Sequence, residues 1–573
     1  MKVADFGDLT KAEAGLIAHL QGGGAWDFEA SEGVPPKDAP ADLHIRASLV
    51  RALILKKVED CALPERGLHI WGAYILGDGD SRGETRGLDL EGASIDCDLA
   101  LQSCRFPDAI LLRNARITNL FLIGSVFDNP LSADGLTVKR DIFLRKVEAA
   151  GEIQLLGATI GGDLSCSGAK LNATGDALTA DRLTATGGVF LREVEAAGEI
   201  RLLGATIGGN LDCIGAKLNA TGDALLADRL TVTGTVFLDE VEAEGKIRLP
   251  GATIGGNLDC VGAKLNAADD ALNAVGATIA GTIFWRDGAF SKGAIDLTAA
   301  TIGTITDDPA CWPAEILLVR CRYGAFTGKG VSGRERIDWL SRMKPERYGH
   351  DFWPQPYEEC ARALREAGHG SDAREVLIEK ERLQRKVRIT RLRKDYLFED
   401  AIWHRFCDSV LRHAVRYGRE PLRAFLFLAG LLVLGTALFN QAALNGEIKP
   451  NLPQLQRAPE WVACAKDPDF SGIPEATREQ YEPRARKSES QLDCFLRQPE
   501  AVSYPRFNPL IYSADTMLPV VAMEMQSYWI PDDSKPIGRW ARLYLWLHIA
   551  AGWGLTLLAV AGFSGLIKTD NTK

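Results

Sequence analysis

The side chains able to do chemistry are thinly spread along this chain. Eight histidines, His19, His44, His69, His350, His369, His404, His413 and His548, include no two that stand three to five residues apart, the spacing by which one helix face grips zinc. No Cys-x-x-Cys and no dinucleotide fingerprint occur, and no Ser-His-Asp order or paired carboxylates at a defined spacing can be argued. The glycine pairs of GATIGG are not followed by Gly-Lys-Ser/Thr, and their recurrence argues for architecture rather than a phosphate loop. The reading is therefore of no catalytic residue, no metal and no cofactor, and whether the chain is an enzyme stays open. One segment stands apart: FNPLIYSADTMLPVVAMEMQSYW, Phe507 to Trp529, is apolar yet carries Asp515 and Glu524, with Ser513 and Thr516 beside them. Several copies around a common axis would set up rings of carboxylates, which favour cations. Ser513, Asp515, Thr516 and Glu524 are thus the pore-lining candidates. An amphipathic helix lying outside on the membrane surface fits the same residues.

What would position that segment is a pair of apolar stretches, 424–444 with no charge and 541–567, both long enough to cross a hydrocarbon core of about 30 Å. His548, near one end of the second, four residues after Tyr544, is expected to make an interfacial hydrogen bond. From Lys380 to Arg423 there are thirteen Lys and Arg against six Asp and Glu. Positive residues at that edge predict a cytoplasmic N-terminal part, a return of the chain to a cytoplasmic tail at 568–573, and residues 445–540 outside. Arg388, Arg391, Arg393, Lys394, Arg412 and Arg416 are candidates for anionic lipid headgroups, each contributing about 1 kcal/mol near the surface. The first thirty residues carry no signal-peptide pattern. Ten of twelve cysteines precede the first span; Cys464 and Cys494 alone lie in the outer loop and are expected to pair, contributing about 3–4 kcal/mol to closing it.

The rest of the 573 residues is too long for one domain, and at a formal net charge of −10 it does not predict nucleic acid as partner. Glycine, 57 residues, is clustered. EIQLLGATIGGDLSCSGAKLNATGDAL from Glu152 returns at Glu199 and Lys246, an offset of 47, with related sequence between the copies, so the unit is about 23 residues and roughly ten units run from 68 to 326. Its apolar residues are too closely spaced, and its glycines too many, for helix. Short strands joined at glycine corners and stacked coil on coil predict a mainly β solenoid. One inward column reads Leu144, Cys166, Leu191, Cys213, Leu238, Cys260 and Trp285. Its cysteines, two coils or about 9.6 Å apart, are too distant to pair and are assigned to packing. Thr159, Thr206 and Thr253 suit exposed strand positions, and Asn172, Asn219 and Asn266 suit corners.

GATIGGDLSCSGAKL and its copies resemble pentapeptide-repeat and related right-handed β-helix proteins over almost half the chain, though without strict five-residue periodicity. The whole layout, ADLHIRASLVRALIL from Ala41, then coils, then two spans, looks like bacterial proteins often catalogued as membrane-associated oxidoreductases, which implies a bacterial inner membrane and a redox activity. YEECARALREAGHGSDAREVLIEKERLQRK from Tyr357 resembles a single tetratricopeptide-like hairpin, which would cap the solenoid or dock a partner. Span, semi-apolar segment, span is also the layout of two-span ion channels, here without a TVGYG-type filter.

The expected organisation is an N-terminal helical cap over 1–66, a β-helix over 67–328, a helical hairpin with a basic juxtamembrane helix over 329–423, a span over 424–444, an outer loop over 445–540 with a re-entrant segment at 507–529, a second span over 541–567 and the tail. Three functions are carried forward. In the first, a cytoplasmic solenoid senses a ligand or partner and couples to an oligomeric pore; in the second, it is a tethered protein-binding scaffold; in the third, a membrane oxidoreductase.

Overall fold

In the computed structural model, residues 1–22, 27–79, 85–394, 398–469, 471, 474–475, 486 and 489–564 are described. The side chains of Arg393 and Lys394 and the 568–573 tail lie outside the described residues. The chain divides into two compact units, Met1–Lys380 and Glu381–Lys573.

The first unit is a right-handed parallel β-solenoid of about ten turns. Each coil carries four short strands, such as Ile153–Gln154, Thr159–Ile160, Leu164–Ser165 and Lys170–Leu171. Each pairs in parallel with its counterpart one coil on. Ile153 pairs with Leu178, 25 residues on, and Leu178 with Ile200, 22 residues on. The 47-residue repeat is therefore two coils of unequal length. The longer one takes its extra residues at the corner between Leu171 and Asp176, where the shorter has only the step from Ala196 to Glu199. An average of 23 concealed this alternation.

Inward positions close the core by stacking like on like. Leu144, Cys166, Leu191, Cys213, Leu238, Cys260 and Trp285 are all buried, and the cysteines are free thiols. Burial pushes the Cys166 thiol up to about 12, which makes it a packing group rather than a nucleophile. Corners need left-handed backbone: Gly157 and Gly204 supply it at φ +63°, but Arg182 and Arg229 hold the same corner column at +56°. Glycine there lowers strain without being obligatory.

Both ends of the solenoid are covered. At the N-terminus, α1 (Lys11–Gln21) and α2 (Ala47–Ile54) accompany two strands: Asp27–Glu29 pairs with His69–Trp71, and His44–Arg46 with Tyr74–Leu76. The segment expected as a helical cap thus also begins the sheets. Glu13 of α1 is wholly buried and accepts from Arg46 Nε and Nη2, each at 2.8 Å. At the other end, the last strands lengthen to Thr278–Trp285, Thr301–Asp307 and Arg322–Gly328, and α3 (Gly333–Ser341) and α4 (Gln355–Glu366) close the edge. Glu359 of α4 accepts from the Tyr323 N–H and Gln355 from the Arg320 N–H, groups an open edge would leave unpaired. Arg336 of α3 is fully buried, bidentate to Asp307 at 2.6 and 2.8 Å, with its guanidinium 3.8 Å from the Phe326 ring centre. The hairpin turns at Gly368, φ +86°, into α5 (Gly370–Lys394).

The second unit is helical: α6 (Phe398–Ala414), α7 (Arg423–Leu444), α8 (Pro509–Met517) and α9 (Pro536–Phe563). Both α7 and α9 are long and apolar enough to cross a membrane. Between them, Ile448–Pro450 pairs antiparallel with Trp529–Pro531.

Candidate functional site

The residues picked out by their chemistry gather where α7, α8 and α9 meet. Asn508 starts α8, its Oδ1 accepting from the Leu510 and Ile511 N–H groups at 3.0 and 3.1 Å, and Pro509 follows at the position that lacks a helical partner. An aromatic cluster fixes this entry: Phe439, Tyr512 and Trp529 are fully buried, and the Trp529 indole donates to the Pro505 carbonyl at 2.9 Å.

From there α8 runs inward along both long helices. Ser513 Oγ donates to the Leu432 carbonyl, at the middle of α7, at 3.1 Å. A Cβ added at Gly552, close to the middle of α9, would sit 2.3 Å from the Met517 carbonyl oxygen, so only glycine lets the end of α8 come this close. Gly435 does the same for α7, where a Cβ would meet Ser513 Oγ at 2.4 Å and His548 Cε1 at 2.6 Å. The C-terminal end of α8 is therefore level with the midpoints of the two long helices.

His548 sits at this junction, wholly buried. Its Nε2 lies 3.0 Å from the Ser513 carbonyl oxygen, which can only accept, so Nε2 carries the proton and Nδ1 accepts from the Tyr544 hydroxyl at 3.1 Å. The expected partner, Tyr544, is present. The expected place near a helix end is corrected: α9 begins at Pro536, well before the apolar stretch, so His548 falls near its middle. Arg539 and Arg542 hid that start from a reading by hydropathy. The contact with Ser513 was not legible either, since 35 residues separate the two.

The four pore-lining candidates do not share one environment. Ser513 and Thr516 are buried, and Thr516 Oγ1 donates back to the Tyr512 carbonyl at 2.8 Å. Asp515 accepts from the Met523 N–H through Oδ1 and from the Gln526 N–H through Oδ2, both at 2.7 Å, which folds the following loop back against α8. Glu524 is exposed and stands at φ +63°, an unusual backbone for a residue with a Cβ. Between them the chain is irregular from Leu518 to Glu524, with Val520 89% exposed. Among the described residues, the N–H groups of Val520, Val521 and Ala522 have no hydrogen-bond partner.

The outer segment is tied down separately. Cys464 and Cys494 form a disulfide, with Trp461 and Phe495 packed edge to face beside it. Tyr504 links that cluster to the site through its hydroxyl, which donates to the Tyr528 carbonyl at 2.6 Å. Of the headgroup candidates, Arg388, Arg391 and Arg412 are exposed, whereas Arg416 pairs with Glu420 at 2.9 Å.

Chemically, the segment presents both signs, with the unmet N–H groups of Val520, Val521 and Ala522 as donors and negative groups on either side of them. The carbonyl end of α8 carries the negative end of its dipole, Glu524 adds an exposed carboxylate, and the Asp515 charge is held by two backbone donors. No family model, no curated protein and no solved structure matches this chain, so the resemblance to pentapeptide-repeat proteins extends as far as a parallel β-solenoid and carries no activity with it.

Proposed function

We propose that this is a membrane-anchored β-solenoid protein whose second unit assembles, as a homo-oligomer, into a cation-conducting pore lined by the segment after α8. The observation that carries the reading is the irregular chain from Leu518 to Glu524, which starts level with the middle of two helices long enough to span a bilayer. Backbone with unmet hydrogen bonds at that depth must face water or another subunit. A two-span protomer cannot enclose such a path alone. In this arrangement α7 and α9 cross a bacterial inner membrane, the basic residues of α5 and α6 mark the cytoplasmic side, and the solenoid receives the signal, from a ligand or a protein partner.

The runner-up is a tethered scaffold without a pore, favoured by the extent to which Ser513, Thr516, Asp515 and His548 are satisfied within one chain. Mass measurement in nanodiscs separates the two. A closed oligomer with conductance, whose cation preference falls in Glu524→Gln, is the expected result; a strict monomer sinks the pore and leaves the scaffold. Glu524 is the cleaner target, because Asp515 also holds the loop.

A further inference from the structure

Where α9 enters its apolar stretch it carries two arginines, Arg539 and Arg542. With 445–540 outside, both stand at the outer end of the span, against the usual bias of Lys and Arg toward the cytoplasm. Neither side chain has a hydrogen-bond or ion-pair partner among the described residues. Arg542 is half-buried, and its Nη1 is shut off from solvent without an acceptor. The nearby acids are engaged elsewhere: Asp515 by the Met523 and Gln526 N–H groups, Asp533 by Lys449 at 3.1 Å. The Tyr512 hydroxyl of α8, within electrostatic reach of Arg542, is fully buried and lacks a partner too. A guanidinium so placed is costly unless an anion meets it.

Toward the middle of α9 the same face turns apolar. Arg539, then Arg542 and Leu543, then Trp546 and Leu547 follow at intervals of three and four, the spacing of one helix face. Trp540, Leu543, Tyr544, Trp546 and Leu547 line an open hollow there, in which Trp546 and Leu547 are 61% and 69% exposed. Unmet cations above an apolar hollow follow the order of a phospholipid, phosphate first and acyl chain after it.

We infer that Arg539, Arg542 and the Tyr512 hydroxyl hold the phosphate of an anionic phospholipid whose acyl chain lies along Leu543, Trp546 and Leu547. A phosphate has acceptor oxygens for all three donors, and a guanidinium meets it through paired N–H bonds. One phosphate balances one arginine, so a headgroup that adds an ammonium is disfavoured and one of net negative charge preferred. Through Tyr512 the lipid also ties α8 to α9, so its binding stabilises the docked segment. The site is separate from the headgroup candidates of α5 and α6, which precede the first span. It needs α9 in a bilayer and does not need a pore.

The test adds phosphatidylglycerol, phosphatidylethanolamine or inorganic phosphate to the full chain in neutral detergent and follows its Tm, with bound lipid counted by native mass spectrometry. Phosphatidylglycerol is expected to raise the Tm and to be retained several-fold more than phosphatidylethanolamine. Arg542→Gln should lose most of that gain and Arg539→Gln part of it, whereas Arg388→Gln with Arg391→Gln should keep it. Tyr512→Phe, which leaves the ring in its aromatic cluster, should keep the lipid-free Tm and lower the gain. Equal effects of the two lipids overturn the inference. So does an undiminished gain in Arg542→Gln or, should that variant not fold, in Arg539→Gln combined with Tyr512→Phe. An equal gain from inorganic phosphate would overturn the lipid in favour of a free anion.

Discussion

Glu13 shows how one side chain ties the start of the solenoid together. Burial would raise its pKa, but the Arg46 guanidinium and the backbone N–H groups of Arg46 and Thr10 outweigh that and hold it below the usual carboxylate range. A depressed folded-state pKa gives stability that is fully present above the unfolded value, near 4.5, and is lost as pH falls through the lower folded value. Glu13→Gln is therefore expected to cost about 1.5–3 kcal/mol at pH 7, with the gap in Tm from the parent closing below pH 4.5 in a pH series. This pair was not legible beforehand, because its members stand 33 positions apart. The cysteine column was legible: its alternation at a fixed offset already placed Cys166, Cys213 and Cys260 on one inward line, and stacking in register is all the structure adds.

At the scale of elements, the decisive contacts are glycines facing α8. A Cβ at Gly552 collides with the backbone oxygen of Met517, while one at Gly554 meets nothing within 4 Å. Gly552→Ala should therefore push α8 off α9, at about 1–3 kcal/mol for an overpacked helix contact, and Gly554→Ala should leave thermal stability in nanodiscs unchanged. Equal loss in both would mean that α8 does not dock there. Sequence alone marked the segment 507–529 as apolar but interrupted, and left a re-entrant path and a surface helix as equals. Ser513 on Leu432 and Met517 on Gly552 dock it against both long helices, through contacts across 81 and 35 residues that no local pattern encodes.

For the whole molecule, the sequence reading was strongest where the chain repeats itself and weakest where it does not. Parallel coils follow from a period and an inward alternation, both visible in the residues. The expectation that the second unit meets a membrane rests on α7 and α9, both long and apolar enough to cross one, and on the basic helices before them. Binding of the full chain to anionic vesicles is expected to weaken several-fold when Arg388 and Arg391 are both changed to Gln, with a shallower dependence on salt. Sedimentation at rising ionic strength reads this directly, and identical salt curves for parent and variant would show that these arginines do not face the headgroups.

The unequal coils fix how such a molecule can change length. Because long and short turns alternate from Ile153 to Leu272, and because Glu148, Lys170, Glu195, Lys217, Glu242 and Lys264 alternate with them, the repeating unit there is the pair. Excising 199–245 would rejoin Glu195 to Lys264 with every ladder intact, whereas excising one turn would set Glu195 on Glu242 and put two long corners side by side. Within 153–272 a change of length is therefore expected to be tolerated in steps of 47 residues: a chain lacking 199–245 should melt as cooperatively as the parent, and one lacking a single turn should not.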